Sequence, residues 1–311
     1  MNKISILLIT GILLLCCSKK TIQNSRKKNR GLIAENAMVV SAKEEASKIG
    51  LDIMKQGGNA FDAMVATDLA LLVTYPVAGN IGGGGFMVFR LADGTSGALD
   101  YREMAPISAT KNMYLEQEGK VVSDNSKTGA LAIGVPGTIA GLFEIHKKFG
   151  TISIEKLIQP AINLANNGIV ITEAQAKRFS QHKVSFRKVN QKRILYDQQW
   201  RAGDTIRNPL LAKTLERIKT HGRDGFYKGK TADLIVNKVQ NLGGIITKED
   251  LENYNVKWRE PIIFNYNSHK IISMPPPSSG GICLAQILKT IEPFNIGQYK
   301  HNSKKYIQLI V

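Results

Sequence analysis

The segment PVAGNIGGGGFMVFRLADGTSGALDYREMAP, residues 76–106, decides how the rest of the chain is read. Four consecutive glycines, residues 82–85, open directly into an apolar run, residues 86–91. Asp93-Gly94 then supplies a turn, and a second short run, residues 97–101, delivers Arg102 at its end. Asp-Gly between two apolar runs predicts a β-hairpin, because glycine accepts the positive φ that tight turns need. Arg102 is therefore expected where a buried strand meets a loop. A guanidinium there offers a planar fork of donors that matches a carboxylate. The same placement suits an ordinary ion pair with Glu103 or another acid, and the spacing alone favours that plainer reading.

Outward from the hairpin, the chain reads mostly as helices punctuated by glycine. Upstream, residues 42–55 have helical spacing with Ala46, Ile49, Ile53 and Met54 on one side. Gly57-Gly58 stops that helix, and Asn59 caps a second one over residues 60–73. The second is apolar nearly all round, which predicts burial on most sides. Downstream, Gly134-Val135-Pro136-Gly137 leads into a helix over 138–148, ended at Phe149-Gly150. Residues 154–166 are helical with Asn167-Gly168 as a stop, and Pro160 predicts a kink or two shorter helices. Thr172 caps a helix through Phe179. The basic, poorly patterned residues 181–192 read as a surface excursion. Asn208-Pro209 starts a helix to about Thr220, the proline at the first helical position. Residues 232–242 form another, stopped by Gly243-Gly244, and Thr247 opens a short one. Residues 259–264 and 269–273 read as paired strands, followed by a rigid turn over 274–281 and a helix from Ile282. Helix pairs interrupted by hairpins, with no fixed-period repeat, predict α+β layers.

Three blocks of this sequence resemble the γ-glutamyltransferase (glutathione hydrolase) family, in the family's order: GGNAFDAMVA at 57–66, GNIGGGGFMVFR with DYREMAP at 79–106, and MPPPSSGG at 274–281. The likeness runs from about Gly31 to the last residue. It implies an incomplete αββα sandwich of the N-terminal nucleophile hydrolase type, the large-subunit part. It also implies that Arg102 binds the α-carboxylate of a γ-glutamyl substrate such as glutathione. Enzymes of this family are made as precursors that cut themselves before a threonine, and the freed threonine is nucleophile and, through its own amine, base. A γ-glutamyl acyl-enzyme then passes its acyl group to water or an amino acid. That threonine lies in a T-T-H-Y-S-V-type segment well beyond MPPPSSGG, and no threonine here has a matching context. The chain accordingly reads as a fragment that lacks the small subunit, the nucleophile and the oxyanion-hole residues, and that is inactive by itself. The alternative is a truncated, non-catalytic lipoprotein that binds a γ-glutamyl or amino-acid ligand.

Other chemistry is set aside by spacing. A G-x-G-x-x-G counted from Gly82 would place its last glycine on Met87, and a P-loop ending at Gly229-Lys230-Thr231 would need glycine at Asp224. The five histidines are far apart, with no partner at metal-ligand spacing, and no G-x-S-x-G elbow exists. No metal or cofactor is implied. Residues 278–281, Ser-Ser-Gly-Gly, read first as a turn and second as an anion site at a helix start.

The leader divides from the folded part. Residues 1–17 form a targeting segment: Lys3 is followed by an apolar run, residues 4–15, too short to span a bilayer with ease. Leu14-Leu15-Cys16-Cys17-Ser18 resembles a bacterial lipoprotein signal with Cys17 as the acylated cysteine; a plain cleaved secretory signal is the other reading. Residues 18–31 are a basic polar tether, and residues 32–311 the γ-glutamyltransferase-like domain. This organisation implies export to the periplasm or an outer-membrane anchor in a bacterium, with membrane contact through the lipid. The formal net charge is +17, and seven cations with no acid precede Gly31. The basic residues are scattered over the body and no nucleic-acid motif accompanies them, so a charge excess near an anionic membrane surface, or one of no functional weight, is the better match than nucleic acid. Cys283, the sole cysteine outside the leader, reads as a small apolar residue on a helix face.

Overall fold

A computed structural model of the chain describes residues 31–116, 119–121 and 124–311. The leader, Cys17 and nearly all of the tether lie outside these residues. The chain separates into a unit spanning Met1–Met38 and a compact unit spanning Val39–Val311. Residues 31–38 contain no helix or strand.

The expected hairpin forms. Strand β1 (Phe86–Arg90) pairs antiparallel with β2 (Ser96–Asp100), with Phe86 opposite Asp100 and Arg90 opposite Ser96. Gly94 takes φ +90° in the connecting turn, and the Asp93 carboxylate accepts the Thr95 N–H at 2.8 Å. Behind the hairpin lie α1 (Glu44–Lys55) and α2 (Ala60–Thr74), close to the lengths expected. Asn59 caps α2 through a reciprocal pair with Asp62. Asp62 has no exposed surface and also accepts from Thr151 N (3.0 Å), Thr151 Oγ1 (2.6 Å) and Ile152 N (3.3 Å). Burial by itself would raise that carboxyl, but these bonds outweigh it and hold the group below the usual carboxylate range. One side chain thus locks the start of α2 to the loop after α3 (Thr138–Phe149). As its all-round apolar pattern predicted, α2 buries Val65, Ala66, Leu69, Ala70 and Leu72.

Helix α4 (Ile154–Asn167) is one helix, not two. Its buried stripe, Leu157, Ile158, Ala161, Ile162 and Ala165, spans Pro160 on both sides, so packing on α2 holds the helix together across the missing N–H. Two-residue strands β3 (Ile169–Val170) and β4 (Thr205–Ile206) pair after it. Helix α5 (Glu173–Asn190) starts at the Thr172 cap as expected but continues eleven residues beyond Phe179, through most of the supposed surface excursion. The extension shows no apolar stripe because none of its residues is fully buried, and its Gln, Lys and Arg residues are good helix formers. Helices α6 (Pro209–His221), α7 (Asp224–Tyr227), α8 (Gly229–Asn241) and α9 (Lys248–Glu252) follow, with Asn208 and Thr247 capping α6 and α9.

The second expected strand pair requires correction. Residues 259–264 are not one strand. Lys257–Arg259 form β5, which joins β2 as the third strand of the main sheet, with Asp100 opposite Lys257 and Ala98 opposite Arg259. Pro261 cannot donate to a ladder, so pairing breaks there. A separate hairpin then forms from β6 (Ile262–Tyr266) and β7 (His269–Ser273). Helix α10 (Gly280–Ile291) starts two residues earlier than expected and packs on this hairpin; α11 (Lys304–Ile310) comes last. Gly281 is the sole residue buried in α10, and Cys283 is exposed rather than packed. No helix among the described residues is long and apolar enough to cross a membrane.

Candidate functional site

Arg102 follows β2 directly, and its backbone is gripped from three sides. On the first side is the glycine run. A Cβ on Gly84 would come within 2.5 Å of Tyr101 O and 2.7 Å of Glu103 N, so only glycine admits this contact. Gly85 and Tyr101 exchange N–H···O bonds of 3.2 and 3.0 Å. On the second side is the 134–137 break. Met104 and Val135 exchange bonds of 3.2 and 2.8 Å, and a Cβ on Gly137 would overlap both Tyr101 O and Tyr254 Oη. Gly83 O closes the frame by accepting Gly137 N (2.8 Å) and Thr138 N (3.0 Å).

The third side comes from far along the chain. Tyr254, 3% exposed, donates its hydroxyl to Arg102 O at 2.7 Å. Burial, and then the neighbouring Tyr227, Asp100 and Glu103, push its phenol well above the usual range, so it stays a donor. Tyr254 stacks on Tyr227 with centroids 5.9 Å apart, and Tyr227 donates to Pro136 O at 2.8 Å. The Arg102 segment is thus tied to the same aromatic pair that braces the break.

Asp100 sets the exit of β2. One carboxylate oxygen accepts Arg102 N at 3.1 Å; the other accepts Arg259 Nε at 2.8 Å and Arg259 Nη2 at 2.7 Å. Asp100 is therefore committed to Arg259, and among the described residues Arg102 forms no pair with Glu103 or another acid. Among the described residues Arg102 takes part in no ion pair; its guanidinium lies 5.9 Å from the Phe86 ring centroid. Arg102 is exposed and lines an open cleft of about 260 Å³ with Asp100, Glu103, Tyr254, Lys257 and Arg259.

Pro277 lines the same cleft, so the fold brings the MPPPSSGG turn at 274–281 to the DYREMAP segment at 100–106 from far along the chain. Ser278 Oγ accepts Gly280 N at 3.3 Å, and a Cβ on Gly281 would overlap Met274 O, the close approach expected of that turn. Asp100, Tyr254, Arg259 and Lys257 were not singled out from sequence. Asp100 was within reach, two residues before Arg102 on one strand. The others stand more than 150 residues from Arg102 and carry no local signal. No group of three or more His, Cys, Asp or Glu residues among the described residues could hold a metal ion. Chemically, the cleft holds an unpaired guanidinium on a rigid backbone, the arrangement that receives a carboxylate.

The family model described as gamma-glutamyltranspeptidase matches residues 46–311. The chain is 42% identical over 282 residues to a glutathione hydrolase proenzyme of Pseudomonas sp. (strain A14), covering 89% of this chain and 49% of the relative. It is 43% identical over 281 residues to the glutathione hydrolase proenzyme of Escherichia coli (strain K12), covering 89% of this chain and 48% of that one. The chain thus spans about half the length of the curated relatives it matches. Among solved structures, the Helicobacter pylori gamma-glutamyltranspeptidase superposes with a TM-score of 0.87 at 45% identity, over 90% of this chain and 82% of that one.

Proposed function

This chain belongs to the gamma-glutamyltranspeptidase family, and from that premise we propose that it is the large-subunit portion of a γ-glutamyltransferase or glutathione hydrolase in which Arg102 binds the substrate α-carboxylate. Its α+β fold is that of an incomplete sandwich of the N-terminal nucleophile hydrolase type. The observation that carries the assignment is the state of Arg102: exposed in a cleft, free of ion pairs among the described residues, and held by backbone and side-chain hydrogen bonds from three segments. Asp100 and Arg259 neutralise one another beside it, which leaves the Arg102 charge for a ligand.

The chemistry that follows needs a nucleophile. We assign it to a threonine in the half of the relatives that this chain does not match, released by self-cleavage so that its own amine is the base. It attacks the γ-glutamyl amide carbonyl, the amine leaves with a proton, and water or an amino acid accepts the γ-glutamyl group from the threonine ester. Arg102 and its neighbours orient the substrate and perform no proton transfer. By themselves residues 1–311 bind but do not turn over. The same half would supply the small subunit. We further assign export and acylation at Cys17, supported by the Leu-Leu-Cys-Cys-Ser boundary and the basic segment after it. Labelling with a fatty acid should mark the protein, and Cys17→Ser should abolish the label; a label that persists refutes the anchor.

The decisive experiment joins this chain to the unmatched half and assays a chromogenic γ-glutamyl anilide. The joined protein should cleave itself and turn over, whereas the 311-residue chain should not exceed background. In the joined protein Arg102→Lys should still self-cleave but lose most of its affinity, because a point charge cannot reproduce the two-pronged contact. A cost of roughly 2–5 kcal/mol would appear in KM and kcat/KM. If both parameters stayed unchanged, Arg102 would not be the carboxylate site.

A further inference from the structure

Helix α5 carries a charge that the site described above does not use. Over residues 173–193 there are seven cations (Lys177, Arg178, Lys183, Arg187, Lys188, Lys192, Arg193) and one acid, Glu173. The helix has 18 residues, none buried, and is about 27 Å long at 1.5 Å per residue. Its inward side is fixed. Phe179 packs on Tyr196 at 5.4 Å, Gln175 donates to Thr74 O at 3.1 Å, and Arg187 Nε pairs with the fully buried Asp197 at 3.1 Å. Arg187 thus serves the fold. The outward side is another matter. Lys177, Gln181, Val184 and Lys188 fall at i, i+4, i+7 and i+11 and form one stripe along the helix. All four are exposed, Val184 at 79%. Arg178 flanks the stripe, and Lys192 and Arg193 extend it past the helix end, on the rim of an open cleft of about 820 Å³. Among the described residues Lys177, Arg178, Lys188, Lys192 and Arg193 form no ion pair.

We propose that this face of α5 is a docking surface for a phospholipid membrane bearing anionic headgroups. Three features select a lipid surface over other anions. The cations lie along the exposed side of one 18-residue helix, which can meet a plane along its length. A bare Val184 stands between Lys177 and Lys188, the pairing of apolar and basic residues that lets a helix rest at the headgroup boundary. No aromatic residue lies on the outward stripe, so it offers no stacking platform for nucleobases. The basic segment before Gly31 carries charge of the same sign. This surface is independent of the assignment of Arg102, and either can fail without the other.

The test is co-sedimentation of the full 311-residue chain with vesicles of phosphatidylcholine alone or mixed with phosphatidylglycerol. The parent should bind the mixed vesicles far better, and salt should remove the excess, since the Debye length falls to about 3 Å at 1 M. The quadruple variant Lys177→Gln/Arg178→Gln/Lys188→Gln/Lys192→Gln should lose about tenfold or more of that excess, as expected when basic residues near a charged membrane surface are removed. Every variant keeps the leader, so its contribution cancels. A control with the same charge change at exposed lysines elsewhere, Lys111→Gln/Lys127→Gln/Lys213→Gln/Lys230→Gln, should lose much less. Val184→Trp should gain a blue-shifted emission on mixed vesicles beyond that of Trp200 and Trp258. Equal losses in variant and control would reduce the effect to net charge and overturn the surface. Displacement by inorganic phosphate at constant ionic strength, or tighter variant-sensitive binding to duplex DNA, would overturn the lipid assignment.

Discussion

Two glycine-rich turns of this chain lead to one cleft, yet they stand in opposite surroundings. The first, residues 82–85, is wedged between the Arg102 backbone and the break at 134–137, with α2 buried behind the hairpin. The second, at 278–281, opens α10, whose surroundings are so sparse that only Gly281 is buried while Ile282, Leu284 and Ile287 are exposed. The same residue type serves close approach in both. What differs is how many elements close around it. Rigidity at Arg102 comes from three separate segments converging on four residues, and glycine content alone does not confer it.

The hardest blow to the first region comes at the break that residues 82–85 wedge against and that Gly83 O holds, with Gly137→Ala. The added methyl overlaps Tyr101 O and Tyr254 Oη, neither of which can retreat, because each is held by a further hydrogen bond. Overpacking against fixed groups costs about 3 kcal/mol or somewhat more. Chemical denaturation should show a midpoint shift of that size, or no folded protein. The matching change in the second region, Gly280→Ala, meets nothing closer than Ser278 Oγ at 3.5 Å and should be nearly silent. If the two substitutions cost the same, the contrast between the turns is wrong.

Asp62→Asn comes next. The carboxylate accepts from Asn59 N, Thr151 N, Thr151 Oγ1 and Ile152 N, and an amide can satisfy only part of that set. Hydrogen bonds to a charged group are worth about 1.5–3 kcal/mol each way of counting, so a loss of about 2 kcal/mol is expected. The pH sign follows from the lowered folded value. The stabilisation is complete above the unfolded carboxylate range and is lost as pH falls through the lower folded value. Stability of the parent should therefore drop more steeply in acid than that of Asp62→Asn, and parallel acid titrations would refute the role given to this side chain.

How much of this could be read in advance follows the same division. The hairpin, α2 and its cap, α6 and α9 announce themselves through Asp-Gly, Asn59, Asn208-Pro209 and Thr247, signals that act within four residues. Arg102 was placed correctly at a strand end for that reason. The division of 257–266 into two sheets turned on Pro261, whose effect depends on β2 being free to pair with β5, a distant fact. The length of α5 is not legible because periodicity reports burial, and no residue of that helix is fully buried. Tyr254 and Arg259 reach the cleft from 152 and 159 residues away from their partners, where no local pattern could point to them.

Tyr254→Phe tests the long-range side of the grip alone. It removes one hydroxyl and leaves the stacking on Tyr227, so the Arg102 carbonyl loses a donor in a part-buried place. The expected cost is about 1 kcal/mol in stability. If the grip serves Arg102, the joined enzyme should show a raised KM with self-cleavage intact. A loss of stability with KM unchanged would make the bond structural only.

The smallest effect is expected in the second region, and its smallness is what sharpens the contrast. Ile287 is 58% exposed on α10, whose inner side rests on the β6–β7 hairpin. Replacing it by Gln keeps a good helix former and removes an apolar group that the described residues do not cover. The unfolding midpoint should move by no more than about 0.5 kcal/mol, as for surface positions in general. Sedimentation velocity should instead report fewer large species for Ile287→Gln than for the parent, because Leu284 and Ile287, three residues apart on one side of the helix, offer other copies an exposed apolar pair. A core substitution of similar chemistry, Leu69→Gln in α2, would reverse the pattern by destabilising the fold and promoting association. A large loss of stability in Ile287→Gln would mean that α10 is packed as firmly as α2, and the two turns would no longer differ in kind.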